Sequence, residues 1–341
     1  MFNGRKAVPP QKVIILRPLQ FGDLMCAVPA FRALRSALPS AEIVLLGLPW
    51  AEQFANRFRH YLDRHICFPG FPGFPEREPD IYAFPQLLTR TQSEQYDLAL
   101  QMHGSGCLSN SIVSLFGAKE MAGFFLEGNF CPDPNAFMPY PQHGHEIHRL
   151  LALVEFLGLM PAGQRADDRL EFPLSDCDWR EYEELRNRYA FGAEMVVIHP
   201  GARAVERRWP VEKFAEVGDL LADAGYQILL TGTQSEQEIA RQVQARMTAP
   251  AVNLCGETGF GALGALLAAS RLLVSNDTGV SHLAPALRVP SVILFSASEP
   301  ERWAPLDQNL HRRILNAGSV DPETVYREAS LLLERNRQYA G

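Results

Sequence analysis

A chain in which an apolar run ends abruptly in polar residues, restarts at helical spacing and returns as a second apolar run has few folds open to it. Residues 272–300, LLVSNDTGVSHLAPALRVPSVILFSASEP, follow that pattern. Leu272, Leu273 and Val274 form the first run, and Ser275 and Asn276 close it. Asp277-Thr278-Gly279 then opens a helical stretch carrying Val280, Leu283, Ala284 and Leu287, before the second run at Val292 to Phe295. The spacing predicts strand, tight turn, helix and strand. Ligands of open α/β sheets bind beyond the carboxyl ends of the strands, which makes this turn a candidate site.

The turn has the groups a diphosphate cradle needs. Gly279 permits close backbone approach, Thr278 and Ser281 offer hydroxyls, and the unpaired N–H groups of a helix start carry partial positive charge. His282, on the first turn, either donates to a phosphate oxygen or is a structural histidine. Asp277 would be repelled by a diphosphate, so it either caps the helix or points sideways to a sugar hydroxyl.

The same alternation runs through the rest of the chain. Val13 to Leu16 reads as a buried strand, Arg17 to Asp23 as a loop, and Leu24, Val28, Phe31, Leu34 and Leu38 as one face of a helix leading to a strand at Ile43 to Leu46. No GxGxxG lies between that strand and helix, which argues against a nicotinamide-dependent enzyme. The loop instead presents Gly22 and one carboxylate, Asp23, either as N-cap of a helix over 24–38 or as a general base. A further strand at Asp97 to Met102 ends in His103-Gly104-Ser105-Gly106, followed by a helix at Asn110 to Phe116. Residues 67–85 and 124–142 are rich in proline and aromatics and read as packed loops.

At 341 residues the chain has room for two domains, and its net charge of −7 argues against nucleic-acid binding. Six cysteines are scattered without a CxxC pair, as in a reduced cytosolic protein. His145 and His148 stand three apart in HEIH, not in the four-apart metal-binding arrangement, so no metal is expected. MFNGRKAVPPQK lacks a signal-peptide core, and no stretch approaches the roughly 18 apolar residues that span a bilayer. A cytoplasmic protein with at most peripheral membrane contact is expected.

The charged stretch Asp167 to Asp178 reads as a linker, after which strands and helices alternate again. His199-Pro200-Gly201-Ala202-Arg203 ends the first strand of this half, and Glu206-Arg207-Arg208-Trp209-Pro210 follows. Gly201 permits close approach, Arg203 and Arg207 supply fixed positive charge for a departing phosphate, and Arg208 reads as a solvated basic residue. Gln234 and Thr258 lie on later strand-ending loops and are weaker candidates for contact with a ribose or base.

Three motifs in order, GD after the first strand, HPGA…RRWP, and NDTGVSHLAPAL, with YDLALQMHGS and HEIHRLLALVEFLGL between them, resemble glycosyltransferase family 9, the ADP-heptose:lipopolysaccharide heptosyltransferases. The likeness runs from about Val13 to Leu306. It implies an α/β GT-B fold with two Rossmann-like domains facing across a cleft. Residues 1–175 would bind the acceptor, residues 176–320 the nucleotide sugar, and a terminal helix over 321–341 would pack back on the first domain. It further implies inverting, metal-independent transfer of a sugar from ADP-heptose or another nucleotide-diphosphate sugar to a glycan or lipid-linked glycan. Asp23 would be the base, with Gly22 and His103 on the acceptor side. Gly201, Arg203, Arg207, Gln234, Thr258, Asp277, Thr278, Gly279 and His282 would serve the donor. Arg207 stands where the family usually has lysine, which keeps the charge and changes the geometry. Residues 67–85 and 104–142 hold only Arg77 and Lys119 as cations, which points to a less anionic acceptor reached through stacking. The alternatives are a nucleotide-sugar epimerase or a non-catalytic nucleotide-sugar-binding subunit of an envelope-assembly complex.

Overall fold

The computed structural model describes residues 9–160 and 166–339, with side chains to residue 335. The signal-peptide reading of the first residues therefore lies in part outside the described residues, as does the end of the terminal helix. The chain divides into two compact units, Met1–Asp168 and Arg169–Gly341, a few residues before the expected boundary.

The first unit runs β1 (Lys12–Leu16), α1 (Phe21–Ala37), β2 (Glu42–Gly47), α2 (Ala51–Arg57), β3 (Arg64–Cys67), α3 (Ala83–Ser93), β4 (Leu98–Gln101), α4 (Ser109–Ser114), β5 (Glu120–Phe125), β6 (Phe137–Pro139) and α5 (Glu146–Phe156). Its six strands are parallel in the order β3-β2-β1-β4-β5-β6. The strands carry continuous apolar runs because helices cover both faces of a parallel sheet. Val13 to Leu16 and Leu98 to Leu100 are fully buried.

The second unit repeats the plan. It runs α6 (Asp176–Tyr189), β7 (Met195–His199), α7 (Val211–Asp223), β8 (Gln227–Leu230), α8 (Gln237–Arg246), β9 (Ala251–Asn253), α9 (Phe260–Ala269), β10 (Leu272–Asn276), α10 (Leu283–Ala286), β11 (Ser291–Phe295), α11 (Pro300–Trp303), β12 (His311–Leu315) and α12 (Pro322–Tyr339). The parallel order is β12-β11-β10-β7-β8-β9. In both sheets the strand order reverses beside the first strand, at β1/β4 and at β7/β10. Such switch points leave a crevice beyond the strand ends for a ligand.

Two expectations need correction. The stretch read as a linker through Asp178 already contains the start of α6, which a capping box opens: the Ser175 hydroxyl accepts from Asp178 N–H, and the Asp178 carboxylate accepts from Ser175 N–H. The terminal helix, expected against the first domain, packs its apolar face within the second unit. Val325, Ala329, Leu332 and Leu333 share one core with Phe214, Leu221 and Ile314, and α12 lies on α7, β10 and β11. An apolar stripe shows that a helix face is buried, not which surface buries it.

Candidate active site

In the first unit α1 begins at Phe21 with Gln20 as its N-cap. Asp23 is therefore inside the first turn and does not cap the helix. It is half-buried, and its backbone carbonyl accepts from Arg17 Nη2 at 2.7 Å and Nε at 3.3 Å. Arg17 Nη1 also donates to the Met102 carbonyl beyond β4. One buried guanidinium thus ties together the ends of the two strands at the switch point. Its charge is met by Glu146 Oε1 at 3.3 Å, and Glu146 Oε2 in turn meets Arg149 Nη1 at 2.6 Å. All three residues are buried. Arg149 adds a bond from Nε to the Pro141 carbonyl at 3.0 Å and lies 4.7 Å over the Tyr140 ring.

Gly22 is buried in the same turn. His103 stacks on Phe74 at 4.4 Å between ring centroids, with Nε2 3.6 Å from Glu76 Oε1. The loop after β4 is held tight at Gly106, where φ is +88° and a Cβ would meet the Phe124 carbonyl at 2.3 Å. The HEIH histidines have structural work: His145 caps α5 by accepting from Ile147 N–H at 3.2 Å, and His148 Nε2 pairs with Asp168 at 2.9 Å. Among the described residues no group of three or more His, Cys, Asp and Glu is arranged to hold a metal ion.

In the second unit buried Asn276 organises the crevice. Its Oδ1 accepts from Trp209 N–H at 2.9 Å and its Nδ2 donates to the Pro200 carbonyl at 2.8 Å, so the end of β10 holds both ends of the HPGA…RRWP loop. Trp209 is anchored from behind by Nε1 donating to the Ala317 carbonyl at 2.7 Å. Arg207 reaches Asp277 Oδ2 at 3.8 Å with its side chain 40% exposed. Arg208 is not a freely solvated residue, since its Nε donates to the Ala202 carbonyl at 2.8 Å. Arg203 is exposed on the same loop.

Asp277 is buried, with side-chain neighbours Ser298, Arg207 and Ser281. Burial pushes its carboxyl up against the weaker pull of those groups. The N-cap of the following turn is Thr278, so of the two readings of Asp277 the capping role falls away. Thr278 and Gly279 are half-buried, and His282 is buried with its ring 6.2 Å from that of Trp303. The expected helix is only a 3-10 turn over Gly279–His282 and one α turn, α10.

Gly201 sits where a Cβ would lie 2.3 Å from Glu236 Cδ. Glu236 is buried and accepts from Thr233 N–H and Oγ1, both at 2.8 Å, closing a capping box. His199, buried, shares a hydrogen bond of 3.1 Å with Thr231, and burial pushes its imidazole down while Glu236 pulls it up. Cys255 bonds to the Thr233 carbonyl, and burial, with Glu236 adding to it, pushes its thiol up to about 11. Gln234, exposed, accepts from Gln237 at 3.2 Å, and Thr258 is half-buried in the turn before α9. The structure therefore brings Gly201, Arg207, Asp277, Thr278, Gly279 and His282 to the switch point, with Gln234 one strand and Thr258 two strands further out. Sequence reading missed Arg17, Glu146, Arg149, Asn276 and Glu236. Only the i, i+3 spacing of Glu146 and Arg149 gave a signal, and it looks like any helical ion pair.

The two parallel six-stranded units define the class: an α/β protein of the GT-B fold. The model of glycosyltransferase family 9 (heptosyltransferase) matches residues 86–328. Lipopolysaccharide heptosyltransferase 2 of Escherichia coli is 26% identical over 304 residues, 86% of this chain and 85% of that protein. A glycosyl transferase family 9 structure from Veillonella parvula superimposes with a TM-score of 0.81 at 18% identity, covering 95% of this chain and 98% of that one. The structure of E. coli ADP-heptose lipopolysaccharide heptosyltransferase II gives 0.73 at 23% identity, with 96% and 99% covered. The chain belongs to glycosyltransferase family 9, the heptosyltransferases, and is a glycosyltransferase. No helix among the described residues is long and apolar enough to cross a membrane.

Proposed function

We propose that the protein transfers a heptose, with inversion, from ADP-heptose or a similar nucleotide-diphosphate sugar to a hydroxyl of a lipopolysaccharide or related cell-envelope glycan. Asp23 accepts the acceptor's hydroxyl proton while that oxygen bonds to the anomeric carbon. The bond from that carbon to the diphosphate breaks, and the nucleoside diphosphate leaves with the electron pair. Arg207, Arg203 and the backbone around Gly201 and Thr278–Gly279 supply the positive potential that such a leaving group needs. His282 and, further out, Gln234 and Thr258 complete the donor contacts, with Gly22 and His103 on the acceptor side.

The observation that carries this reading is the clamp on Asp23, whose backbone carbonyl is held by the buried Arg17. A base must be held within hydrogen-bonding reach of its proton, and a buried guanidinium on its carbonyl is a direct way to hold it. The acceptor is one of low negative charge at its contact surface. Arg77 is already bonded to Cys67 Sγ and to the Phe68 carbonyl, and Lys119 pairs with Asp97 at 2.7 Å.

Asp23→Asn tests the base. Transfer should fall roughly 10²–10⁴-fold, the usual worth of a general base, with nucleotide-sugar binding unchanged. Wild-type turnover in this variant refutes the assignment, and turnover restricted to the anionic inner-core acceptor Kdo-lipid A refutes the acceptor reading.

A further inference from the structure

The loop after β11, Ser296-Ala297-Ser298, presents two hydroxyl oxygens that are buried and make no hydrogen bond to any described residue. The fold gives no reason for them: a buried hydroxyl without a partner costs about 1–3 kcal/mol. Their place is informative. Asp277 N–H donates to the Leu294 carbonyl at 3.0 Å, so the chain two residues beyond Leu294 runs beside Asp277 and Thr278. Ser298 reaches the Asp277 carboxylate closely enough to act on its charge without aligning into a hydrogen bond. The far end of the loop is pinned by Trp303, whose ring lies against buried His282 and under the Arg302 guanidinium at 4.6 Å.

We propose that Ser296 and Ser298, with Asp277, form a subsite that reads the hydroxyl groups of the donor's glycosyl moiety. It rests on the donor reading above. A phosphate does not suit this place, because Asp277 offers only acceptor atoms and its charge repels an anion. A sugar hydroxyl suits it, because it donates to the carboxylate and accepts from a serine O–H at once. Both serines are only half-buried as residues, and each hydroxyl turns on a single side-chain torsion. Arg207, the cationic neighbour of Asp277, is 40% exposed and remains available to the diphosphate.

The test is calorimetric titration of the wild type, Ser296→Ala, Ser298→Ala and the double variant with ADP and, separately, with ADP-heptose. Each single variant should weaken ADP-heptose roughly twofold to tenfold, the worth of one neutral hydrogen bond, and leave ADP unchanged. Equal affinities of wild type and variants for ADP-heptose, or equal losses for both ligands, overturn the subsite while leaving the donor reading standing. A wild type that binds neither ligand overturns the donor reading itself, and the subsite with it.

Discussion

Glu146→Ala removes the carboxylate that pairs with two buried guanidinium groups. The side chains of Arg17, Glu146 and Arg149 are 1%, 6% and 3% exposed, so water cannot replace the lost counter-charge without opening the unit. Breaking a buried ion pair by deleting one partner costs about 3–5 kcal/mol, a large part of the 5–15 kcal/mol that holds a domain together. The carbonyls of Asp23, Met102 and Pro141 stay bonded to the arginines, so the loss should fall near this range and not beyond it. Hydrogen exchange read by peptide mass spectrometry is the assay. Amides of β1 and β4 should lose protection by the equivalent of a few kcal/mol, while those of β7 and β10, in the other unit, serve as the internal control. Glu146→Gln keeps an acceptor oxygen and should cost less. Adding Arg149→Met to Glu146→Ala returns the buried net charge to its original value and should recover part of the loss, a coupling that a double-mutant cycle measures. Unchanged β1 and β4 protection in Glu146→Ala would refute the claim that this triad carries its charge out of water.

Two further perturbations act on the second unit. His311 is buried, shares a 2.8 Å hydrogen bond with Ser291, and is pushed by burial down to about 4. An unfolded histidine titrates near 6.5, so as pH falls from there towards 4 the unfolded chain takes up a proton that the folded one refuses. Stability is full above that window and should drop by about 3 kcal/mol across it. His311→Asn, which keeps a hydrogen-bonding group and cannot titrate, should flatten the urea midpoint over this pH range, and an unaltered acid slope would contradict the assignment. Gly201→Ala drives a methyl into Glu236 and should cost about 1–3 kcal/mol by overpacking. It should also weaken ADP binding, because the capping box at Thr233 must shift. Thermal unfolding with and without ADP separates the two effects, and wild-type values of both would show that Glu236 can move aside freely.

What the sequence disclosed depended on how local the determinants were. β1, β2, β4, β7, β10 and β11 stood out as apolar runs closed by polar residues, glycine or proline, the punctuation of a doubly wound sheet. β12 did not, because HRRIL sits at a sheet edge with two arginines and an exposed Leu315, and its pairing with β11 is visible only in three dimensions. α6 was hidden by polarity: within it only Asp178, Tyr182 and Leu185 are buried, and its capping box does much of the specifying. The site followed the same rule. GD, HPGA, RRWP and DTG are short and self-contained. Arg17 finds Glu146 129 residues away and Trp209 finds Asn276 67 residues away, distances at which no spacing rule operates.

The two switch points solve one geometric problem with different charges, and the difference bears on chemistry. At β1/β4 the tie across the strand ends is a cation, Arg17, bonded to the Met102 carbonyl. At β7/β10 it is a neutral amide, Asn276, bonded to the Pro200 carbonyl. A buried cation demands a counter-ion, and Glu146 is spent on it. Arg149 follows to satisfy Glu146, so the ligated triad retains one positive charge beneath the backbone of Asp23. A buried cation in the second unit would also have needed a carboxylate, and a second carboxylate beside Asp277 would repel a diphosphate. The neutral tie avoids both and leaves Arg207 as a partly solvated cation at that edge, with its guanidinium 3.8 Å from Asp277.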